Sequence, residues 1–209
     1  MQVKLAGLGK RYNFEWIFRN LTYEFTAGNT YAILGHNGSG KSTLLNTISG
    51  FLLPSEGQLT FSLQNHSVPV EEIYRYLSYA APYLETVEEF TLTEVLELHT
   101  KFKQLNGISV PELIDRMRLQ KARDKYVKDF SSGMKQRLKL GMALYTQAPL
   151  LLLDEPTTNL DQEGIDWYLE HLSLNKKDRV VIIGSNISHE YSFADERLHI
   201  TDYHPAPKK

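Results

Sequence analysis

Apolar residues follow a strand pattern near both ends of the chain. Residues 21–26 and 58–63 alternate between apolar and polar positions, which predicts two half-buried strands. The runs 31–34, 150–153 and 180–183 are apolar throughout, as is typical of strands buried on both faces. The chain is therefore predicted to mix exposed and fully buried strands.

The middle of the chain, residues 88–145, has a helical pattern instead. Residues 91–94 and 109–112 are capping-box signatures, which predict the starts of two helices. We therefore expect a helical lobe inserted between 1–87 and 146–209, which would form a core with a β lobe. The inner helix positions are predicted to be Val95, Leu96, Leu98, Phe102, Leu113, Ile114, Met117 and Leu119.

The most specific chemical motif lies between the buried strand 31–34 and a predicted amphipathic helix. This segment, Gly35–Thr43, reads GHNGSGKST. Strand, glycine loop and helix are the context of a phosphate-binding loop, whose backbone N–H groups and helix N-terminus surround the anion. Lys41 would reach the β- and γ-phosphates, and the Ser42 hydroxyl would bind Mg²⁺. The predicted nucleotide contacts are Gly35, Asn37, Gly38, Ser39, Gly40, Lys41, Ser42 and Thr43.

Two carboxylates, Asp154 and Glu155, follow the run of four leucines. Open α/β sheets place ligands at the carboxyl ends of their strands. Asp154 suits a role in binding Mg²⁺ together with Ser42, and Glu155 suits the base that orients or activates an attacking water.

Other positions are less specific when they are read alone. Tyr12 could stack on an adenine ring or be a surface tyrosine, and Trp16 competes for the same role. Ser131 could cap a helix whose first N–H groups bind phosphate, although many ordinary helices begin in this way. Asp161 is predicted to cap a later helix, and residues 204–209 are predicted to be disordered.

Composition narrows the classes of function. The 209 residues include 42% hydrophobic side chains, as in a globular protein, and no cysteine, which excludes disulfides and thiolate chemistry. A net charge of −2 gives no electrostatic footprint for nucleic acid. No apolar run approaches 18 residues, so we expect no membrane span in this chain.

The order of these motifs resembles that of the ATP-binding cassette (ABC) ATPases, over essentially the whole chain. The resemblance implies an α/β fold, in which a P-loop NTPase (RecA-like) core carries an antiparallel β lobe and an inserted helical lobe. The loop 35–43 resembles the Walker A loop, and Asp154 and Glu155 resemble the Walker B aspartate and the catalytic glutamate. Ser131 and Gly133 match the signature motif. Residues 158–161 resemble the D-loop, and Tyr12 falls at the adenine-stacking aromatic.

The resemblance also implies cofactors and partners. ATP and Mg²⁺ would be sandwiched in a head-to-tail dimer, between the phosphate loop of one cassette and the signature serine of a second ABC subunit, most simply an identical one. Separate transmembrane permease subunits would hold the chain in the cytoplasm, on the inner face of the cell membrane. Residues 80–84 would either receive a permease helix or form a buried linker.

Four positions depart from the family pattern. Ser132 and Met134 replace a glycine and a glutamine of the signature motif, and Pro82 stands where a glutamine is expected. Asn186 replaces a histidine that normally contacts the γ-phosphate, and His189 comes three residues later. We therefore expect an ATP hydrolase that is slow without its partner, with Glu155 and Asn186 as its catalytic residues.

Two other classes of function remain open at this point. A soluble ABC-type switch would share every motif but would work without a transporter. A nucleotide kinase would share the phosphate loop, but it would not need the signature segment or the Asp154–Glu155 pair. A multi-span membrane protein encoded beside this chain would favour transport.

Overall fold

The computed structural model describes residues 1–205. Its strands, in chain order, are β1 (Gln2–Tyr12), β2 (Glu15–Thr26), β3 (Thr30–Leu34), β4 (Glu56–Leu63), β5 (His66–Val68), β6 (Leu77–Ala80), β7 (Leu150–Asp154), β8 (Val180–Ser185) and β9 (Glu196–His199). Its α-helices are α1 (Lys41–Ile48), α2 (Leu92–Phe102), α3 (Val110–Arg116), α4 (Ser132–Tyr145), α5 (Gln162–Asn175) and α6 (Ser188–Tyr191). Short 3₁₀ turns occupy Val70–Arg75, Gln120–Ala122, Val127–Asp129 and Ile200–Tyr203.

The strands form two sheets. An antiparallel sheet has the order β2-β1-β4-β5, and a parallel sheet has the order β6-β7-β8-β3-β9. All residues of β3, β7 and β8 are buried, as their continuous apolar runs predict. The carboxyl ends of these three strands meet at one edge of the parallel sheet, and that edge carries the phosphate loop and the two carboxylates.

Alternate residues of β7 face two separate hydrophobic cores. Leu151 and Leu153 pack with the helices between β6 and β7 and with α5. Leu150 and Leu152 pack with α1 and with the antiparallel sheet. The mixed α/β fold with an antiparallel lobe is confirmed. The division of the chain into a core with a β lobe and a helical lobe stays a prediction.

Local signals in the helical range match the structure in most respects. Both predicted capping boxes are present, with the Thr91 and Ser109 side chains accepting from the Glu94 and Glu112 backbones. The prediction that Leu98 and Phe102 are inner positions was wrong, because 37% and 79% of their surfaces are exposed. Helix α2 buries a narrow face, and Phe102 instead lines a cavity between α2 and β6.

The predicted disorder of residues 204–209 needs a partial correction. His204 has a defined place, in contact with the phosphate loop. Residues 206–209 lie outside the described range, so the prediction is not addressed there.

Candidate nucleotide-binding site

The phosphate loop turns tightly between β3 and α1. Gly38 and Gly40 have φ angles of +79° and +102°, values that favour glycine over residues with a Cβ. At Gly40 there is also no space for a side chain, because a Cβ would lie 2.4 Å from Cγ2 of Ile17. The glycines are therefore needed both for the shape of the loop and for the close approach of β2.

Lys41 starts α1 and reaches back across the loop. Its Nζ donates to the carbonyls of Gly35 and His36 at 2.9 and 3.2 Å, and only 4% of the residue is exposed. The cation is therefore held in place by neutral acceptors, and its charge is available to phosphate oxygens in the loop.

Asp154 lies at the end of β7 beside the loop. It is 1% exposed, and neither carboxylate oxygen has a hydrogen-bond partner within residues 1–205. Burial raises the pKa of the Asp154 carboxyl above its ordinary value, and the nearby Ser42 hydroxyl and Lys41 oppose that increase. A buried carboxylate next to a hydroxyl fits a hard cation such as Mg²⁺, which prefers oxygen ligands.

Gly184 of β8 makes this close arrangement possible. A Cβ at Gly184 would lie 3.1 Å from Oδ1 of Asp154 and 3.6 Å from Cβ of Lys41. The absence of a side chain therefore lets β8 approach both charged groups.

Glu155 follows directly and has a φ of +42°, an uncommon backbone conformation for a residue other than glycine. Its N–H donates to the carbonyl of Gly184 at 2.9 Å, which keeps this first residue after β7 paired with β8. Glu155 thereby lines one cavity of about 180 Å³ together with Asn37, Lys41 and Ser42. Strained backbone of this kind is often found at functional sites.

Asn186 and His189 lie in different surroundings, although they are near in sequence. The Asn186 amide donates to Oδ1 of Asn37 in the phosphate loop at 2.8 Å. His189 pairs instead with the Thr157 hydroxyl at 3.1 Å, in the segment after β7. The geometry therefore favours Asn186 over His189 as the donor at the phosphates.

The buried carboxylate of Glu190 connects the segments that follow β7 and β8. It accepts from the Thr157 N–H at 2.6 Å, and also from the Thr157 and Ser185 hydroxyls. Sequence reasoning missed this connection, since nothing in the local pattern around Glu190 indicates its partners.

The signature segment does not join the phosphate-loop cavity. The Ser131 side chain caps α4 by accepting from the Met134 N–H at 3.3 Å. Ser131 and Gly133 line a separate cavity of about 370 Å³ with Asn159 and Asp161 of the predicted D-loop. The phosphate-loop cavity and the signature cavity are therefore separate within one chain.

Tyr12 is the more available of the two aromatic candidates. Its ring is 47% exposed at the end of β1, with Lys10 Nζ 5.3 Å from its centroid. Trp16 is half-buried, and the guanidinium groups of Arg11 and Arg19 contact its ring at 5.4 and 4.6 Å. The ring of Tyr12 is therefore more accessible than that of Trp16 for stacking on an adenine ring.

A tyrosine pair lies where a glutamine is expected near Pro82. The Tyr79 and Tyr83 hydroxyls are 2.6 Å apart, and Tyr83 donates to Oδ1 of Asn46 on α1 at 3.3 Å. Burial raises the pKa of Tyr79, and the nearby Asp154 raises it further. Sequence reasoning did not find this pair, because it considered only the missing glutamine.

The fold and the loop geometry define a P-loop nucleotide-binding protein with a carboxylate pair beside its phosphate loop. Comparison with known proteins gives the family. The ABC transporter family model matches residues 18–158. The chain belongs to this family, and it is an ATP-binding and ATP-hydrolysing cassette.

Relatives and solved structures agree with this assignment. The chain is 30% identical to an uncharacterised ABC transporter ATP-binding protein, YybJ of Bacillus subtilis, over 87% of this chain and 83% of that protein. It is also 30% identical to the Nod factor export ATP-binding protein I of Rhizobium johnstonii, over 94% of this chain but only 65% of that longer protein.

Among solved structures, the fold matches the dimeric cassette MJ0796 in a post-hydrolysis state bound to ADP and Pi. The TM-score is 0.82 at 23% identity, over 96% of this chain and 94% of that one. At this level of identity the match shows the fold alone.

Proposed function

We propose that the chain powers a membrane transporter by binding and hydrolysing ATP between two cassettes. The observation that carries this proposal is the buried Asp154 carboxylate, without a partner in the described residues, beside Ser42 and Lys41. Such a group is costly in a folded protein unless a cation neutralises it. Mg²⁺ held by Ser42 and Asp154 would shield the phosphate charge when bound.

The residues around the loop would divide the chemistry among them. Lys41 and the loop N–H groups hold the β- and γ-phosphates, and Glu155 orients the attacking water and accepts its proton. Asn186 donates to the γ-phosphate side and keeps Asn37 in place. Asparagine can donate but cannot take up a proton near neutral pH, which supports a slower reaction than a histidine would allow.

The size of the site supports a second cassette. A small-molecule pocket usually measures about 300–1,000 Å³, whereas the cavity at the phosphate loop measures about 180 Å³. This cavity is smaller than that range, so the adenosine part of ATP would contact surface outside it. The separate polar cavity at Ser131 and Gly133 supplies the complementary half when two chains pair head to tail.

An apolar groove supports a permease partner. Cavities of about 530 and 380 Å³ share Leu77, Tyr79 and Leu84, and apolar side chains line most of their walls. Phe51, Tyr74 and Phe102 border these cavities with 81%, 58% and 79% of their surfaces exposed. No helix among residues 1–205 is long and apolar enough to cross a membrane. We infer that a helix of a separate membrane subunit, lying outside the bilayer, docks in this groove.

Glu155→Gln tests the proposal. Glutamine preserves shape and removes the base, so ATP should bind but remain intact, and the dimer should persist. Light scattering with ATP and Mg²⁺ should show a stable dimer for Glu155→Gln, and only monomer for the matched variant Lys41→Ala. A Glu155→Gln chain that binds ATP yet stays monomeric contradicts the shared site.

The same variant tests whether the chain binds a permease subunit through this groove. A tagged Glu155→Gln chain, isolated from detergent-solubilised membranes, should retain a protein with several membrane spans. Adding Phe102→Glu, which places a charge in the groove, should release that protein while the ATP-dependent dimer is unchanged. Retention despite the new charge contradicts docking at this groove.

A further inference from the structure

The last described part of the chain packs directly on the phosphate loop. We call residues 200–204 the C-terminal segment. The His204 Nε2 lies 2.8 Å from the carbonyl oxygen of Ser39, and the His204 and His36 rings meet edge to face at 6.3 Å. Ile200 is fully buried against Gly35, where a Cβ would lie 2.8 Å from its Cγ2. The segment therefore contacts the loop at three residues.

The direction of the His204 bond follows from its partner. A carbonyl oxygen can only accept, so His204 Nε2 carries the hydrogen and donates. In a planar trans peptide, C=O and N–H point in opposite directions. Holding the Ser39 carbonyl therefore also fixes the direction of the Gly40 N–H, which points away from His204.

Gly40 is the position at which this orientation matters. It lines the phosphate cavity and directly precedes α1, whose first N–H groups are the ones that bind anions. Because Gly40 has no side chain, many backbone conformations are open to it, and its φ of +102° is one that other residues rarely adopt. The Ser39 hydroxyl is buried and has no partner within residues 1–205, so it does not restrain this peptide.

We propose that His204 is a positioning residue for nucleotide binding, because its ring holds the Ser39–Gly40 peptide with the Gly40 N–H directed towards the bound phosphates. This inference rests on the proposed binding of ATP phosphates in the loop. It gives the C-terminal segment a role in the ATP site, although the segment lies 160 residues beyond the loop in the sequence.

Isothermal titration of the full-length chain with ATP and with ADP tests the proposal. His204→Ala should raise both dissociation constants about threefold to tenfold, which is the usual net effect of one hydrogen bond. His204→Gln, whose amide nitrogen donates at similar reach, should stay within about twofold of the unmodified chain. The matched control is His199→Ala, at an exposed position on β9 of the same region.

Three results would overturn the proposal: unchanged affinities in a folded His204→Ala chain, a Gln variant as weak as the Ala variant, or an equal loss in His199→Ala. If circular dichroism shows that His204→Ala does not fold, His204→Phe keeps a ring without a donor and takes its place under the same expectations. A failure of the proposed function looks different, because Lys41→Ala would then bind ATP as tightly as the unmodified chain.

Discussion

Each end of the parallel sheet buries a charged side chain, and the two side chains differ in their hydrogen-bond partners. Arg179 lies just before β8 at the amino end of the sheet and is 8% exposed. Asp154 ends β7 at the carboxyl end and is 1% exposed. Their surroundings indicate that Arg179 stabilises the fold, whereas Asp154 serves to bind a ligand.

Arg179 has acceptors for both terminal nitrogens of its guanidinium, and only its buried Nε has no partner within residues 1–205. Its guanidinium donates to the carbonyls of Leu144 and Asn175 at 2.9 and 3.4 Å, and to the Ser78 hydroxyl at 2.6 Å. The two carbonyls belong to the last turns of α4 and α5, which carry the negative ends of the helix dipoles. Burial lowers the pKa of Arg179 to about 10, so it remains a cation at neutral pH.

Neither oxygen of Asp154 has such a partner among the described residues, and the nearby Ser42 and Tyr83 hydroxyls and the Lys41 cation only partly offset the effect of burial on its pKa. An unpaired buried carboxylate lowers stability. A cation that binds together with the nucleotide explains why this unpaired carboxylate lies beside a phosphate loop. We infer that a buried charge indicates a functional site when none of its charged atoms has a hydrogen-bond partner, as at Asp154, and not when most of them are paired, as at Arg179.

The largest expected effect concerns Asp154→Asn. The amide keeps the shape of the side chain but cannot neutralise Mg²⁺, so the rate of ATP hydrolysis should fall about a thousandfold. Phosphate release measured at saturating ATP checks this. Asp124→Asn, at an exposed position away from both cavities, controls for the loss of one negative charge. A rate within tenfold of the unmodified chain would contradict the assignment.

The same variant gives a stability test whose sign depends on pH. The pKa of Asp154 is raised in the folded chain, so the protonated carboxyl favours folding. This stabilisation is fully present below the ordinary pKa of about 3.9. It is lost as the pH rises through the higher pKa of the folded chain. Asparagine does not titrate. Without nucleotide, the free energy of unfolding of Asp154→Asn should therefore exceed that of the unmodified chain by more at pH 7 than at pH 4. A constant difference across this range would contradict the burial argument.

The next effect concerns Arg179→Met. Removing the guanidinium leaves buried carbonyls without a donor, and the free energy of unfolding should fall by about 2–4 kcal/mol. Urea denaturation measures this. The ATP dissociation constant should stay within about twofold, since the site lies at the other end of the sheet. Lost ATP affinity with unchanged stability would reverse the proposed roles of the two charges.

The smallest effect concerns Asn186→His. Asn186 already donates to Asn37, so histidine adds reach and the ability to take up a proton rather than a first donor. Turnover with the permease present should rise severalfold, within about tenfold, and ATP affinity should change little. Asn186→Ala, which loses the donor, should be slower than the unmodified chain. If Asn186→Ala matches the unmodified chain, another group serves the phosphate.

The functional edge of the sheet could be predicted from the sequence because its signals are local. The residue types of Gly35–Thr43 and Asp154–Glu155 lie next to the strands that position them. The structure confirms those strands and the capping boxes of α2 and α3. The residue roles at the site remain predictions for the variants above.

The rest could not be predicted, because the partners are distant in sequence. Arg179 meets Ser78 across 101 residues, and His204 meets Ser39 across 165. No periodic pattern encodes such pairings. Phe102 has a helical spacing but faces a groove, since the spacing does not say which neighbours cover a helix face.

Isothermal titration of ATP, with and without Mg²⁺, tests the central claim most directly. We predict that Mg²⁺ tightens ATP binding at least about tenfold in the unmodified chain and in Arg179→Met, and has no effect on affinity in Asp154→Asn. An equal gain from Mg²⁺ in Asp154→Asn and in the unmodified chain would contradict the claim that Asp154 is the buried charge kept for the cation.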